Sequence, residues 1–130
     1  MRFDLEEKFV NNYINRSYRN RLLFELKSSK KRLDAIMRFS HNIDSLIKIE
    51  TIHLKLKKFD ACELKSFLID QKLYVVSFKF LDGIMMDTNE LLDYIQDDYP
   101  ILICGNDIAI IKKEFEKGED NFYLLKKREK

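Results

Sequence analysis

Glycine and proline are scarce in this chain, with three glycines and one proline among 130 residues. The glycines at 83, 105 and 118 stand alone, so no Gly-rich phosphate loop can form, and no Gly-x-Ser-x-Gly elbow is present. Tryptophan is absent. Cys62, Cys104, His41 and His53 lack the paired spacing of a zinc site, so no metal or other cofactor is expected. A nucleophilic thiolate needs an electropositive setting. Cys62 is followed by Glu63, and Cys104 is close to Asp107, so neither is assigned a catalytic role. No apolar run approaches the ~18–20 residues of a membrane span, and Met1–Lys8 has no apolar signal-peptide core. The expectation is a cytoplasmic protein with free thiols and no membrane partner.

What is present suits one packed domain over 1–130. Hydrophobic residues make up 45%, with ten Phe and six Tyr. Abundant Lys, Ile and Asn suit an AT-rich bacterial genome. The formal net charge of +2 hides an asymmetry. Residues 1–58 hold 14 Lys or Arg against 7 Asp or Glu, and residues 82–120 hold 11 acidic residues against 3 basic ones. Such a dipole can steer a charged partner, or it can simply keep the faces of the fold solvated.

Along the chain, Phe9, Val10, Tyr13 and Ile14 predict an amphipathic helix over 3–15, with Glu6, Glu7 and Lys8 facing away. Over 18–39, Leu22, Leu23, Leu26, Leu33, Ile36 and Met37 share a face if one helix runs through. Ser28-Ser29 can instead break it, with Ser29 as an N-cap. Lys30, Lys31 and Arg32 would then form a basic first turn that repels the helix dipole unless it has a purpose such as anion binding. Residues 46–56 read as a short helix running into extended chain. Asp60 and Asp87 are N-caps, each followed three residues later by Glu. The helices behind them put Leu64, Phe67 and Leu68, and then Leu91, Leu92 and Ile95, on their inner faces.

The clearest strand is Leu73–Phe80, where Tyr74, Val76, Phe78 and Phe80 alternate with Val75, Ser77 and Lys79. Asp82-Gly83 predicts a two-residue type I′ turn, and Gly105-Asn106 a type II′ turn pairing Cys104 with Asp107, Ile103 with Ile108 and Ile101 with Ile110. Both faces of this second hairpin are apolar, which predicts central strands covered on both sides. Pro100 forces Tyr99 out of helix. Phe122–Leu125 is a last strand, and 126–130 a frayed basic tail. The fold class is α+β, with N-terminal helices packed on a four- or five-stranded, mainly antiparallel sheet from the C-terminal half.

Two charged groups are candidates for function. Asp82, Asp87, Glu90 and Asp107 fall near one end of the expected sheet, where clustered carboxylates can do acid–base work or hold a cation. The basic run is the stronger candidate. Arg16, Arg19, Arg21, Lys30, Lys31 and Arg32 are its candidate binding residues, with Lys27 and Arg38 nearby and Tyr13, Tyr18, Phe24 and Phe39 interleaved. Cations secure phosphates and aromatics stack bases, whereas a helix can also use such residues as a solvated face.

The run Phe9–Leu33, the Leu81-Asp-Gly83 turn and the Cys104-Gly105 step together resemble small uncharacterised bacterial single-domain proteins. That resemblance implies a single bacterial domain and lends no activity. The leading expectation is a non-enzymatic cytoplasmic protein that binds another macromolecule, a protein, as a regulator or immunity-type factor would. Nucleic-acid binding through 16–38 is the alternative, and an enzyme using the acidic group is another.

Overall fold

The structure is a computed structural model that describes residues 1–69, 71–77, 82–95, 101–113 and 118–128, with Ile101 described by its backbone. Four helices come first: α1 (Phe3–Tyr13), α2 (Arg16–Lys27), α3 (Arg32–His41) and α4 (Ile43–Leu46). A 3-10 turn, Ile49–Thr51, leads into β1 (Ile52–Leu56). Then follow α5 (Ala61–Leu68), β2 (Lys72–Ser77), β3 (Ile84–Asp87), α6 (Thr88–Tyr94), β4 (Ile101–Cys104), β5 (Ile108–Lys112) and β6 (Phe122–Lys126). Among the described residues six strands make one antiparallel sheet in the order β1-β6-β5-β4-β2-β3. The class is α+β, as expected. The strand beyond the expected four or five is β1, at the sheet edge, where Leu54 and Leu56 pair with Leu124 and Phe122. Among the described residues no helix is long and apolar enough to cross a membrane.

Period-two alternation sends successive side chains to opposite faces. Tyr74, Val76, Leu102, Ala109, Ile111, Tyr123 and Leu125 face the N-terminal helices, where Phe9, Val10, Leu26, Ile36 and Phe39 cover them. Leu73, Val75, Met86, Ile103, Ile110 and Leu124 face the other way, under Leu64 and Leu68 of α5, with Leu91 of α6 and Ile95 just beyond it. The central strands are therefore covered on both sides. Local chemistry starts both covering helices. Asp60 accepts from the Glu63 amide at 3.0 Å, and Asp87 accepts from the Glu90 amide at 2.9 Å, with Glu90 returning the bond to the Asp87 amide.

The chain breaks after α2. Ser29 is not the cap: Lys31 is the N-cap residue of α3 and makes no side-chain cap bond, while the Ser28 hydroxyl accepts from the Lys31 amide and the Ser28 carbonyl from the amides of Lys31 and Arg32. The break resets the helical phase, so α3 turns Arg32 inward and leaves Leu33, expected on the inner stripe, 48% exposed. Glu6 is a second reversal. It was expected to face solvent, yet it is 2% exposed.

Both hairpins differ in register from expectation. Val75 pairs with Ile84 and accepts from the Gly83 amide at 2.8 Å, so the β2–β3 connection starts beyond Val75 and is longer than two residues. Gly83 has a positive φ of 79°, and Asp82 does not share it, which excludes a type I′ turn. Phe78, Lys79 and Phe80 lie outside the described residues, as do Tyr99 and Pro100. In the second hairpin Cys104 pairs with Ala109, Ile103 with Ile110 and Ile101 with Lys112. The left-handed residue is Asp107, at φ 58°, and Gly105 has a different task. A Cβ there would sit 2.8 Å from the Gln71 Oε1 oxygen and 3.1 Å from Leu73. An even register slip leaves every side chain on its expected face, which is why the two-sided burial survives. Lys126 belongs to β6, and the Lys127 amide donates to the Asp107 carbonyl at 2.8 Å, so the tail is anchored this far.

Candidate functional site

The structure divides the basic run. Arg32 leaves it for the core, where its guanidinium meets Glu6 end-on and Asp82 side-on. Nη1 and Nη2 donate to Glu6 at 2.7 and 2.8 Å, Nε and Nη2 donate to Asp82 at 2.7 and 2.8 Å, and Nη1 also donates to the Leu26 carbonyl at 2.8 Å. All of its N–H donors are used. Burial alone would lower the Arg32 pKa, but the bonds to Asp82 and Glu6 outweigh it and raise it. The Tyr74 hydroxyl donates to Glu6 at 2.6 Å and accepts from the Arg2 amide at 3.1 Å. Burial, with the Glu6 hydrogen bond adding, pushes Tyr74 up to about 12. Arg32 is thus a structural centre that ties α1, α3 and the β2–β3 connection together, and it leaves the set of surface binding residues.

Arg19 is half-spent as well, because its Nε donates to the Ile14 carbonyl at 2.9 Å. Arg16, Arg21, Lys30 and Lys31 are exposed. The exposed residues of α2 are Arg16, Ser17, Tyr18, Asn20, Arg21, Phe24 and Lys27, and its one carboxylate, Glu25, is buried. Phe24 is 64% exposed, and the Lys31 ammonium lies 5.1 Å from its ring centroid, a cation–π contact. Beside this face, α2 and α3 form a groove of about 310 Å³ lined by Tyr18, Leu22, Phe39, Arg21, Glu25 and Arg38, among others. Glu25 holds Arg38 at 2.6 Å and Arg21 at 3.3 Å. A separate cleft of about 500 Å³ is lined by Arg19, Lys48, Lys127 and Arg128, with Glu50 beside them.

The acidic candidates do not converge. Asp87 pairs with Lys72 at one end of the β2–β3 ladder, and Asp107 lies at that same end, while Asp82 lies past Ile84 at the other. Asp82 is committed to Arg32, and Asp87 and Glu90 are committed to each other as a cap. Among the described residues no group of three or more His, Cys, Asp or Glu is placed to hold a metal ion. Burial and the Glu6 charge push the Cys104 thiol up, away from the reactive thiolate. His53 stacks on Phe67 with ring centroids 5.7 Å apart.

No protein-family model, curated protein or solved structure matches this chain.

Sequence reasoning passed over Glu6, although a signal was available. It precedes Phe9, Val10 and Tyr13 by three, four and seven positions, which is the apolar stripe of α1. A carboxylate on such a stripe needs a buried cation.

The Glu25 cluster predicts a pH dependence. The Arg38 hydrogen bond holds the Glu25 carboxyl below the usual carboxylate range, against a smaller opposing effect of burial. The folded pKa is lower than the unfolded one, so this contribution is complete above the unfolded value near ~4.3 and is lost as pH falls through the folded value. Urea midpoints followed from neutral into acid pH should fall less steeply for Glu25→Gln than for the wild type. Parallel curves would show that Glu25 carries none of the acid sensitivity.

Proposed function

We propose that the protein acts without catalysis, by binding an acidic surface of another protein through the outer face of α2. The observation that carries this reading is the exposed Phe24 ring, set among Arg16, Arg21, Lys27 and Lys31, with Glu25, the partner of Arg21, recessed beneath them. Cations of one sign accelerate and orient encounter, and a solvent-exposed aromatic supplies the burial that holds the complex. Of the four acidic candidates, Asp82 is occupied by Arg32, and Asp87 and Glu90 by a helix cap. A cytoplasmic regulator or immunity-type factor would work this way.

Quantitative affinity capture from cells that make the protein tests the reading. Phe24→Ala should reduce the captured partner by about tenfold or more without lowering stability, since the ring is exposed. Lys27→Glu with Lys31→Glu should do the same, and added salt should weaken capture. Capture indifferent to all three would overturn the proposal.

Nucleic acid is the second reading, because a cationic face with an exposed aromatic ring also suits phosphates and a stacked base. A helix face is convex, and Tyr18, the other exposed ring of α2, lies about 120° around the helix from Phe24, whereas single-strand sites use a groove with successive aromatics, so the protein partner is the better fit. Salt-sensitive retention of single-stranded DNA or RNA, lost on Phe24→Ala, would reassign the face.

A further inference from the structure

The groove between α2 and α3 has a regular shape. α2 lends it Tyr18, Leu22 and Glu25, and α3 lends it Ala35, Phe39 and Asn42. Both sets fall at positions i, i+4 and i+7, so each is one stripe of its helix, about two turns or ~10 Å long. Ser45 and Leu46 of α4, which follows α3 directly, line the end beside Asn42. The floor is apolar, with Ala35 and Phe39 buried and Leu22 and Leu46 half-buried. Tyr18 stands 41% exposed along one wall.

Charge around the groove is uneven. Glu25 takes both Nη groups of Arg38, at 2.6 and 3.2 Å, so this pair bridges the two helices as a neutral unit and serves no ligand. The cationic side is α2. Arg21, whose Nε reaches Glu25 at 3.3 Å, is 71% exposed, and Arg16 and Lys27 are exposed on the same helix. On the α3 side Asp34 is exposed, one turn from Arg38. A third helix is the shape that fills a groove lined by two helical stripes, with apolar side chains one turn apart as its anchors. Carboxylates on that helix are favoured toward α2 and repelled toward Asp34.

We propose that the groove receives an acidic amphipathic helix of the protein recruited by α2, with two apolar side chains one turn apart seated over Leu22 and Phe39 and its carboxylates on the α2 side. The inference rests on the α2 reading for its charge, and it adds the shape and the anchors of the partner.

Amide chemical shifts of the 15N-labelled protein, titrated with a stapled helical peptide, test it. The peptide carries leucines at i and i+4 and glutamates along one flank. Two control peptides replace the leucines by serine or the glutamates by glutamine. The parent peptide should shift the amides of Ala35, Phe39 and Leu46 saturably, and each control should bind about tenfold or more weakly. Ser45→Trp should fill the end of the groove and abolish those shifts. It should keep the native spectrum elsewhere, because Ser45 is exposed and the Asn15 bond is to its backbone carbonyl. No saturable shift at the groove amides, equal binding of the serine peptide, or undiminished binding by Ser45→Trp would overturn the groove. In those cases shifts at Arg21 and Phe24 with the parent peptide would leave the α2 face standing. Equal binding of the glutamine peptide would overturn the proposal and the α2 reading together.

Discussion

Arg32→Met should destabilise the protein by about 3–5 kcal/mol, read as a lower denaturant midpoint at unchanged slope by far-ultraviolet circular dichroism. The side chains of Arg32, Glu6 and Asp82 are 8%, 2% and 13% exposed. Removing the guanidinium leaves two carboxylates facing each other with little access to water, and it orphans the Leu26 carbonyl. A domain of this size has roughly 5–15 kcal/mol in total, so the loss would approach the unfolding threshold. Arg32→Lys should fall between wild type and Arg32→Met, since one ammonium cannot reproduce two bidentate contacts. A cost below about 1 kcal/mol for Arg32→Met would show that the network does not hold these segments together.

Breaking a buried pair and replacing it are different experiments. The triple variant Glu6→Leu, Arg32→Met, Tyr74→Phe removes the charge, its partner and the hydroxyl bonded to them, and it should recover most of the stability that Arg32→Met loses. Asp82 then keeps the Ser77 amide, at 3.2 Å, and its partial exposure to water. Recovery would mean that the network contributes specificity of arrangement more than net energy. It fixes α1, α3 and the β2–β3 connection in one geometry, and apolar side chains would fill the same space with less directional demand.

Features governed by nearby residues were legible in the sequence. Asp60 and Asp87 cap helices through amides three residues away, so their pattern is complete within one turn. The two-sided apolar character of β4 and β5 was equally legible, because it depends on composition and alternation. Long-range pairing was not. Arg32 reaches Glu6 across 26 positions and Asp82 across 50, and only the break at Ser28 decides whether Arg32 or Leu33 faces inward. Turn register failed for a related reason. Asp-Gly and Gly-Asn name residues that tolerate a positive φ, but tertiary contacts chose Gly83 and Asp107 and gave Gly105 the task of clearing Gln71. Of the candidate sites, the Phe24 face followed from interleaving aromatics with cations.

Ile110→Ala should cost about 2–5 kcal/mol and should loosen α5 and α6 before the rest of the fold. Ile110 is fully buried and lies directly between Ile103 on β4 and Leu124 on β6, not opposite Ile101 as the type II′ turn would have placed it. Together with Ile103 and Leu124, it forms the floor on which Leu64, Leu68, Leu91 and Ile95 sit. α5 has 8 residues and α6 has 7, and isolated helices below ~12–15 residues are marginal in water, so these two persist because the sheet face holds them. The opposite face rests on longer helices and on the Arg32 network, which a cavity at Ile110 leaves untouched. Hydrogen exchange should therefore show α5 and α6 amides losing protection in Ile110→Ala well ahead of α1 and α3. The matching change on the other face, Ile111→Ala beneath the N-terminal helices, should reverse that order. Uniform loss of protection in both variants would mean that the two layers unfold as one unit, and the dependence of the short helices on the Ile110 floor would be wrong.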